Sequence, residues 1–254
     1  MSSRQPRVVG IIPARYASTR LPGKAIHPIL GKPMIQRVLE RCLPSKLLDS
    51  VWVATDDERI ARVVEAVGGR FVMTSPDHPS GTDRLAEAIT KIDGDIVVNL
   101  QGDQPFLDVQ MIEDAVRPML DDASLPMSTL MHAITRPEDL ANPGVVKVVV
   151  DLVGNALYFS RSLVPYPHKN VPHRVFEHVG LYVYRRDFLL TLAGLAPTPM
   201  ESVESLEQLR VLEHGYKLRV VETQSSDHEF TGFSVDTPDD VIRAEQMLRE
   251  RGLH

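Results

Sequence analysis

The chain has 254 residues, enough for one large domain or two small ones and for a substantial buried core. Its formal charge of -6 at neutral pH argues against a nucleic-acid binder, whose footprint would be a basic face, but leaves room for a small anion held by a local cationic loop. The single cysteine, Cys42, excludes an internal disulfide framework, no apolar run approaches the ~20 residues that span a bilayer, and the opening MSSRQPR lacks the apolar core and cleavage site of a signal peptide, so a cytoplasmic globular protein is expected.

Val8 to Ile12 is a short β-branched run and reads as a buried parallel strand, as do Val51 to Ala54 and Ile96 to Leu100. Between these runs, Met34 to Cys42, Glu58 to Val67 and Asp83 to Ile92 carry apolar residues at helical spacing, with Gly68-Gly69 as a stop after the second. Strand and helix in alternation predict right-handed βαβ units and an open, doubly wound, mostly parallel α/β sheet. From Met127 the texture changes. STLMHAI, VVKVVV, ALYFSR and EHVGLYVYRR are strand-like with little helix between them, which predicts an antiparallel part at 127–186 inserted in one α/β domain. That part is the expected dimer surface or substrate lid, with Tyr158, Phe159, Leu181 and Val183 supplying apolar surface. Ser202 to His214 reads as one helix with Val203, Leu206, Leu209 and Leu212 on a single face, and Pro238 to Arg251 as a last helix capped by Asp236 or Thr237.

In such sheets ligands bind beyond the carboxyl ends of the strands, which is where the loops after Ile12, Ala54 and Leu100 open. The first of these, IPARYASTRLPGK, matches neither GxxxxGK[ST] nor GxGxxG. It offers small residues, Ala14, Ala17 and Ser18, that allow close backbone approach, and Arg15, Arg20 and Lys24 as counter-charges for a polyphosphate. A solvated loop with idle cations is the plain alternative. The third loop, in VVNLQGDQP, puts Asp103 at the same edge, after a Gly102 read as permitting close approach of a ligand. Asp103 is a candidate Mg²⁺ ligand or merely a turn former, and Asp236 is the distant second carboxylate that could complete a metal site. With no Cys or HExxH near His168 and His173, zinc is rejected.

The segments IPARYASTRLPGK, ATDD, SGTDRL, NLQGDQP, ALYFSR, HVGLYVYRR, SLEQLRVL and VDTP occur in the order seen in the 3-deoxy-manno-octulosonate (Kdo) cytidylyltransferases, and the chain resembles that family from Val8 to about Leu248. YASTRLPGK, ALYFSR and ESLEQLR set it apart from the related acylneuraminate cytidylyltransferases. The resemblance implies a nucleotide-diphospho-sugar transferase-like fold, a homodimer, and the reaction of CTP with Kdo to give CMP-Kdo and pyrophosphate, for lipopolysaccharide or capsule. It implies that Arg15, Ser18 and Lys24 hold the triphosphate, that Ser80, Arg84 and Gln101 position the cytidine, and that Asp103 and Asp236 hold Mg²⁺. It also implies a sugar pocket of Arg161, His178, Tyr182, Glu207 and Gln208, with the Arg161 cation meeting the Kdo carboxylate. Taken alone, Arg161 could equally bridge a surface carboxylate and His178 could be a packed core histidine, while Tyr182 and Tyr184 are read as pointing to opposite faces. The chain departs from the family pattern at Gln104, where Glu is commoner, and at Phe233-Ser234, where Gly precedes VDTP; if that glycine needs a positive φ, the loop carrying Asp236 would sit differently. Two rival readings remain: a cytidylyltransferase for another sugar acid, such as an acylneuraminate or 8-amino-Kdo, and a nucleotide-binding protein without chemistry.

Overall fold

The structure is a computed structural model and describes residues 4–169, 171–225 and 233–252. In chain order the strands are β1 (Val8–Ala14), β2 (Pro28–Ile29), β3 (Lys32–Pro33), β4 (Ser50–Thr55), β5 (Arg70–Met73), β6 (Ile96–Asn99), β7 (Met127–Ala133), β8 (Lys147–Val150), β9 (Ala156–Ser160), β10 (Phe176–Arg185) and β11 (Arg219–Glu222). The helices are α1 (Met34–Cys42), α2 (Glu58–Ala66), α3 (Gly81–Lys91), α4 (Val109–Asp121), α5 (Pro137–Ala141), α6 (Arg186–Ala193), α7 (Pro199–Glu204), α8 (Gln208–Glu213) and α9 (Pro238–Glu250). Among the described residues, β2 and β3 pair with each other and the other strands form one sheet in the order β11-β7-β10-β6-β1-β4-β5, with β8 added to β10 and β9 to β8.

Both faces of β1 are covered, as its unbroken apolar run predicts. Val8 and Ile12 pack against α1, α2 and α4 through Ile35, Val38, Ile60, Val64, Ile112 and Val116. Val9 and Ile11, on the other side of the pleat, pack against α3, α6 and α8 through Leu85, Ile89, Leu189 and Leu209. A third cluster joins Leu21, Ile29, Met34, Phe106 and Val235 to Val241, Ala244 and Leu248 of α9. It fastens the opening loop, the QGDQP turn and the segment before α9 to one another.

β5, β4, β1 and β6 run parallel, while β10 runs antiparallel to β6, β7 and β8. The antiparallel texture after Met127 thus comes from one reversed strand, β10, and from the β8–β9 hairpin, all continuous with the main sheet. β10 sits inside the sheet and Phe159 of β9 packs inward, which overturns the reading of Phe159, Leu181 and Val183 as surface: all three are buried in the chain's own core, and Tyr158 packs partly against it. The single helix expected over Ser202 to His214 is also corrected. Ser205 takes a left-handed conformation (φ 52°) that ends α7, α8 begins three residues later, and Val203 is 85% exposed instead of facing inward. Tyr182 and Tyr184 share a face, with ring centroids 6.1 Å apart, because side chains two apart on a strand point the same way.

Candidate active site

β1, β4 and β6 run parallel, β1 and β4 ending together at Ala14 and Thr55 and β6 stopping opposite Ile11, so the loops following them open at one edge of the sheet. The cleft there, of about 390 Å³, is lined by Arg15, Ser18, Arg20, Lys24, Ser80, Arg84, Gln101, Asp103 and Asp236, with Thr19, Met34 and His78 beside them. Of the predicted residues, the cleft brings together every one assigned to nucleotide or metal.

Local chemistry shapes this loop. Tyr16 donates its main-chain N–H to Asp56 (3.3 Å), its ring is covered by the Arg59 guanidinium (3.3 Å to the centroid), and Gly23 lies against its other parts. Gly23 has φ 66°, a left-handed turn that glycine adopts without strain, and it delivers Lys24 into a 3-10 turn at Lys24–Ile26. Lys24 Nζ then reaches Asp103 Oδ2 at 2.7 Å and Asp236 Oδ1 at 3.0 Å, while Arg20 meets the same Asp236 oxygen at 3.0 Å. Burial pulls the Lys24 ammonium down, and the charges and hydrogen bonds of Asp103 and Asp236 more than offset this, so its pKa lies above the ordinary lysine value. Arg15 makes no hydrogen bond or ion pair with the described residues and is exposed at the mouth of the cleft.

The two carboxylates arrive by different routes. Gly102 precedes Asp103, and a Cβ there would fall 2.6 Å from the Pro13 carbonyl oxygen. The close approach that requires glycine here is to the chain's own β1 backbone, and Gly102 also lines the cleft, where a ligand would meet it. Val235 N donates to Asp103 O at 2.9 Å, tying the segment before α9 to the turn. Thr237, not Asp236, caps α9: it forms a capping box with Asp240, which leaves the Asp236 side chain for the cleft. Phe233 packs edge-on against Phe106 (5.7 Å between centroids), and Ser234, which stands where the family pattern has glycine, has no positive φ, so the serine is held without backbone strain. Thr231 and Gly232 lie outside the described residues.

The donor set fits a hard cation. Two carboxylates converge on one point, and among the described residues no group of three or more His, Cys, Asp or Glu is placed to hold a metal. Mg²⁺ commonly takes one or two carboxylates and completes its shell with phosphate and water.

On the opposite wall, Ser80 caps α3, accepting from Asp83 N at 3.1 Å. Arg84 is almost wholly buried and donates to Thr74 (2.6 Å) and Asp56 (3.1 Å). His78 meets Glu87 at 2.5 Å, and the same carboxylate accepts from Ser75 N, so α3 holds the 75–80 loop at both ends. Sequence reasoning offered Arg20 as a counter-charge of the loop but did not foresee its pairing with Asp236, and it missed His78. The signal for His78 was its position two before the SGTDRL cap.

A second cleft, about 580 Å³, shares Pro79 and Ser80 with the first and continues along Asp83, Glu201, Glu207 and Arg210. Tyr182, Glu207 and Gln208 line a small hollow beside it. β10 has an irregularity between Val179 and Tyr182, and Gln101 donates to the Gly180 carbonyl there at 3.1 Å, which links the end of β6 to the strand bearing His178 and Tyr182. The His178 ring lies 5.5 Å from Tyr182, 3.0 Å from Thr129 Oγ1 and 3.5 Å from Gln208 Nε2. Burial pushes its pKa down to about 3, so it is neutral. Glu207 is raised above the usual carboxyl value, chiefly by burial. The Arg161 guanidinium is taken up by main-chain carbonyls, those of Glu204 (2.7 Å), Pro143 (3.0 Å) and Ser205 (3.4 Å). It secures the turn between α7 and α8, which carries Glu207 and Gln208.

The family model described as Cytidylyltransferase matches residues 9–222. A 3-deoxy-manno-octulosonate cytidylyltransferase of Geobacter metallireducens is 51% identical over 253 residues, covering 95% of this chain and 98% of the relative. That of Syntrophotalea carbinolica is 50% identical over 251 residues, with 95% and 98% covered. A solved structure of CMP:2-keto-3-deoxy-manno-octonic acid synthetase complexed with CTP superposes with a TM-score of 0.90 at 46% identity, over 96% of this chain and 99% of the other. A 4-diphosphocytidyl-2C-methyl-D-erythritol synthase from Anaerococcus prevotii, 15% identical, shares the fold with a TM-score of 0.62 over 96% of this chain and 97% of its own.

Proposed function

We infer the activity from one premise, that the chain belongs to the cytidylyltransferase family: it joins CTP to Kdo, giving CMP-Kdo and pyrophosphate. The anomeric hydroxyl gives up its proton to solvent as its oxygen bonds to the α-phosphorus, and the bond from that phosphorus to the β-phosphate bridge breaks to release pyrophosphate, so no covalent enzyme intermediate is needed. The observation that carries the reading is the convergence of Lys24, Asp103 and Asp236 on one point of the cleft, beside a second cleft with room for a sugar.

Lys24 and Arg15 neutralise the triphosphate and the charge that develops as it is attacked, which is where nucleotidyl transfer gains most of its rate. Ser18 presents its hydroxyl at the cleft wall, and Ser80, Arg84 and Gln101 form the wall for cytidine. Asp103 and Asp236 would hold Mg²⁺, which when bound would supply neutralisation of the triphosphate charge. His178, Tyr182, Glu207 and Gln208 would receive the sugar acid, with neutral His178 bonding a hydroxyl. Arg161 supports this wall through the carbonyls it holds, and that is our reading of its part in the sugar pocket.

The reading extends to a homodimer, and to the cytoplasm, where CTP is formed, with a product destined for lipopolysaccharide or capsule. No helix of the described residues is long and apolar enough to cross a membrane. The test is pyrophosphate release from CTP with a panel of sugar acids. Kdo should give turnover well above 8-amino-Kdo and acylneuraminates; a preference for either of those would replace the substrate, and no release with any would leave only nucleotide binding.

A further inference from the structure

Among the described residues, four charged side chains meet at the carboxylate end of the cleft: Lys24 lies between Asp103 and Asp236, and Arg20 lies on Asp236. Two positive and two negative charges cancel. A free divalent cation approaching this point meets carboxylates whose charge is already matched and an ammonium standing within 3.0 Å of both. Among the described residues only these two carboxylates are on offer, with no third His, Cys, Asp or Glu placed to favour the metal over that ammonium. A nucleoside triphosphate changes the balance, because its oxygens compete for Lys24 and Arg20 and at the same time supply the missing metal ligands.

We propose that Lys24 and Arg20 are internal counter-cations that occupy the carboxylate pair until a triphosphate draws them away, so that divalent metal binds Asp103 and Asp236 only together with the nucleotide. This rests on the metal assignment made above, and it adds a binding order and a role for Arg20. Lys24 thereby serves twice, as guard of the carboxylates before substrate arrives and as phosphate ligand afterwards. The lysine stem makes the exchange possible: its ammonium has three donors on a flexible chain and is a compact point charge, able to swing between oxygens without a fixed fork geometry.

The experiment measures Mn²⁺ binding, without turnover, by the free-ion electron paramagnetic resonance signal and by water-proton relaxation, which rises when the ion is on protein. Apo wild type should bind Mn²⁺ weakly, and Lys24→Met should tighten apo binding at least tenfold. Adding Asp103→Asn to Lys24→Met should remove the gain. Arg20→Gln, at an exposed side chain whose loss leaves folding intact, should give a smaller gain of about threefold, and this second variant decides the matter if Lys24→Met does not fold. Equal apo affinity in wild type, Lys24→Met and Arg20→Gln would overturn the proposal, as would a gain that survives Asp103→Asn. With CTP and Mn²⁺ present, wild type should enhance proton relaxation and Asp103→Asn should not. If those two are alike while Lys24→Met still binds no better than wild type, the metal assignment itself fails; if they differ but the apo affinities do not, only the guard role fails.

Discussion

Asp103 serves the site with both its side chain and its main chain. Its carboxylate meets Lys24 and its main-chain oxygen accepts from Val235, so one residue fixes the cation and the route of Asp236. Asp103→Asn should keep the turn, since Asn suits it equally, and should keep the main-chain bond. It removes one partly exposed ion pair, worth at most about 1 kcal/mol, so the melting temperature should move by no more than about 4 °C. Turnover should fall by about 100-fold or more and recover only in part at high Mg²⁺; a pyrophosphate assay across a Mg²⁺ titration, with a melting curve alongside, checks both. His178 gives a pH test of opposite character. Its folded pKa, depressed by burial to about 3, lies below the ordinary 6.5, so the unfolded chain takes up a proton first as pH falls. The stability of the neutral ring is fully present above pH 6.5 and is lost between there and about 3, by no more than about 1.4 kcal/mol per pH unit. Denaturant midpoints from pH 7 to 4 should fall less steeply in His178→Gln than in wild type; parallel slopes would contradict the assignment.

The break between α7 and α8 is the element on which the proposed sugar wall turns. Ser205 holds a left-handed conformation that costs a non-glycine residue about 1 kcal/mol, and its carbonyl and that of Glu204 receive Arg161. Ser205→Gly should retain stability and kinetics, whereas Ser205→Val, β-branched and intolerant of positive φ, should lose about 1–2 kcal/mol and raise KM for the sugar acid with little change in KM for CTP. Steady-state kinetics in each substrate checks the split. This break was invisible in the sequence because Val203, Leu206 and Leu209 keep helical spacing across it; periodicity records apolar positions and not the φ of one serine. β5 and β11 escaped notice for a related reason: they are short strands, four residues each, whose partly exposed faces give no continuous apolar run. α4 has the periodicity, in Met111, Ile112, Ala115, Val116 and Met119, but carries Pro118. The parallel strands, their ligand edge and the cationic loop were legible, since burial on both faces and loop charge are composition-level signals. The two carboxylates could be nominated from their motifs, but their meeting depends on the third apolar cluster, which joins residues 21 and 248.

Across the whole molecule the site is assembled from ends of the chain. Leu21, Phe106, Val235 and Leu248 pack in one cluster, so the proposed nucleotide end depends on α9 docking, while the proposed sugar end depends on β10 and on α8. Among the exposed apolar side chains of the described residues, four lie on the far part of the sheet: Leu152 (107% exposed) and Val153 at the β8–β9 turn, Leu157 (62%) on β9, and Val203 on α7, which is held to β9 through the 2.7 Å bond from Ser160 to Glu204. These replace the residues nominated from sequence as the apolar surface of a homodimer, and they keep the prediction within the same stretch of chain plus α7. Exposed aliphatic side chains grouped on neighbouring elements are the usual mark of a surface that another copy covers. Sedimentation of the wild type should give a dimer at micromolar concentration, and Leu152→Glu with Leu157→Glu should shift it to monomer, because a pair of charges at a covered apolar face opposes association. Neither residue packs in the core, so circular dichroism of the variant should match the wild type, and the nucleotide cleft, built within one chain, should bind CTP with unchanged affinity in the monomer. A wild type that sediments as a monomer at every concentration would refute the assembly, and a doubly substituted variant that remains dimeric would move the interface elsewhere on the molecule.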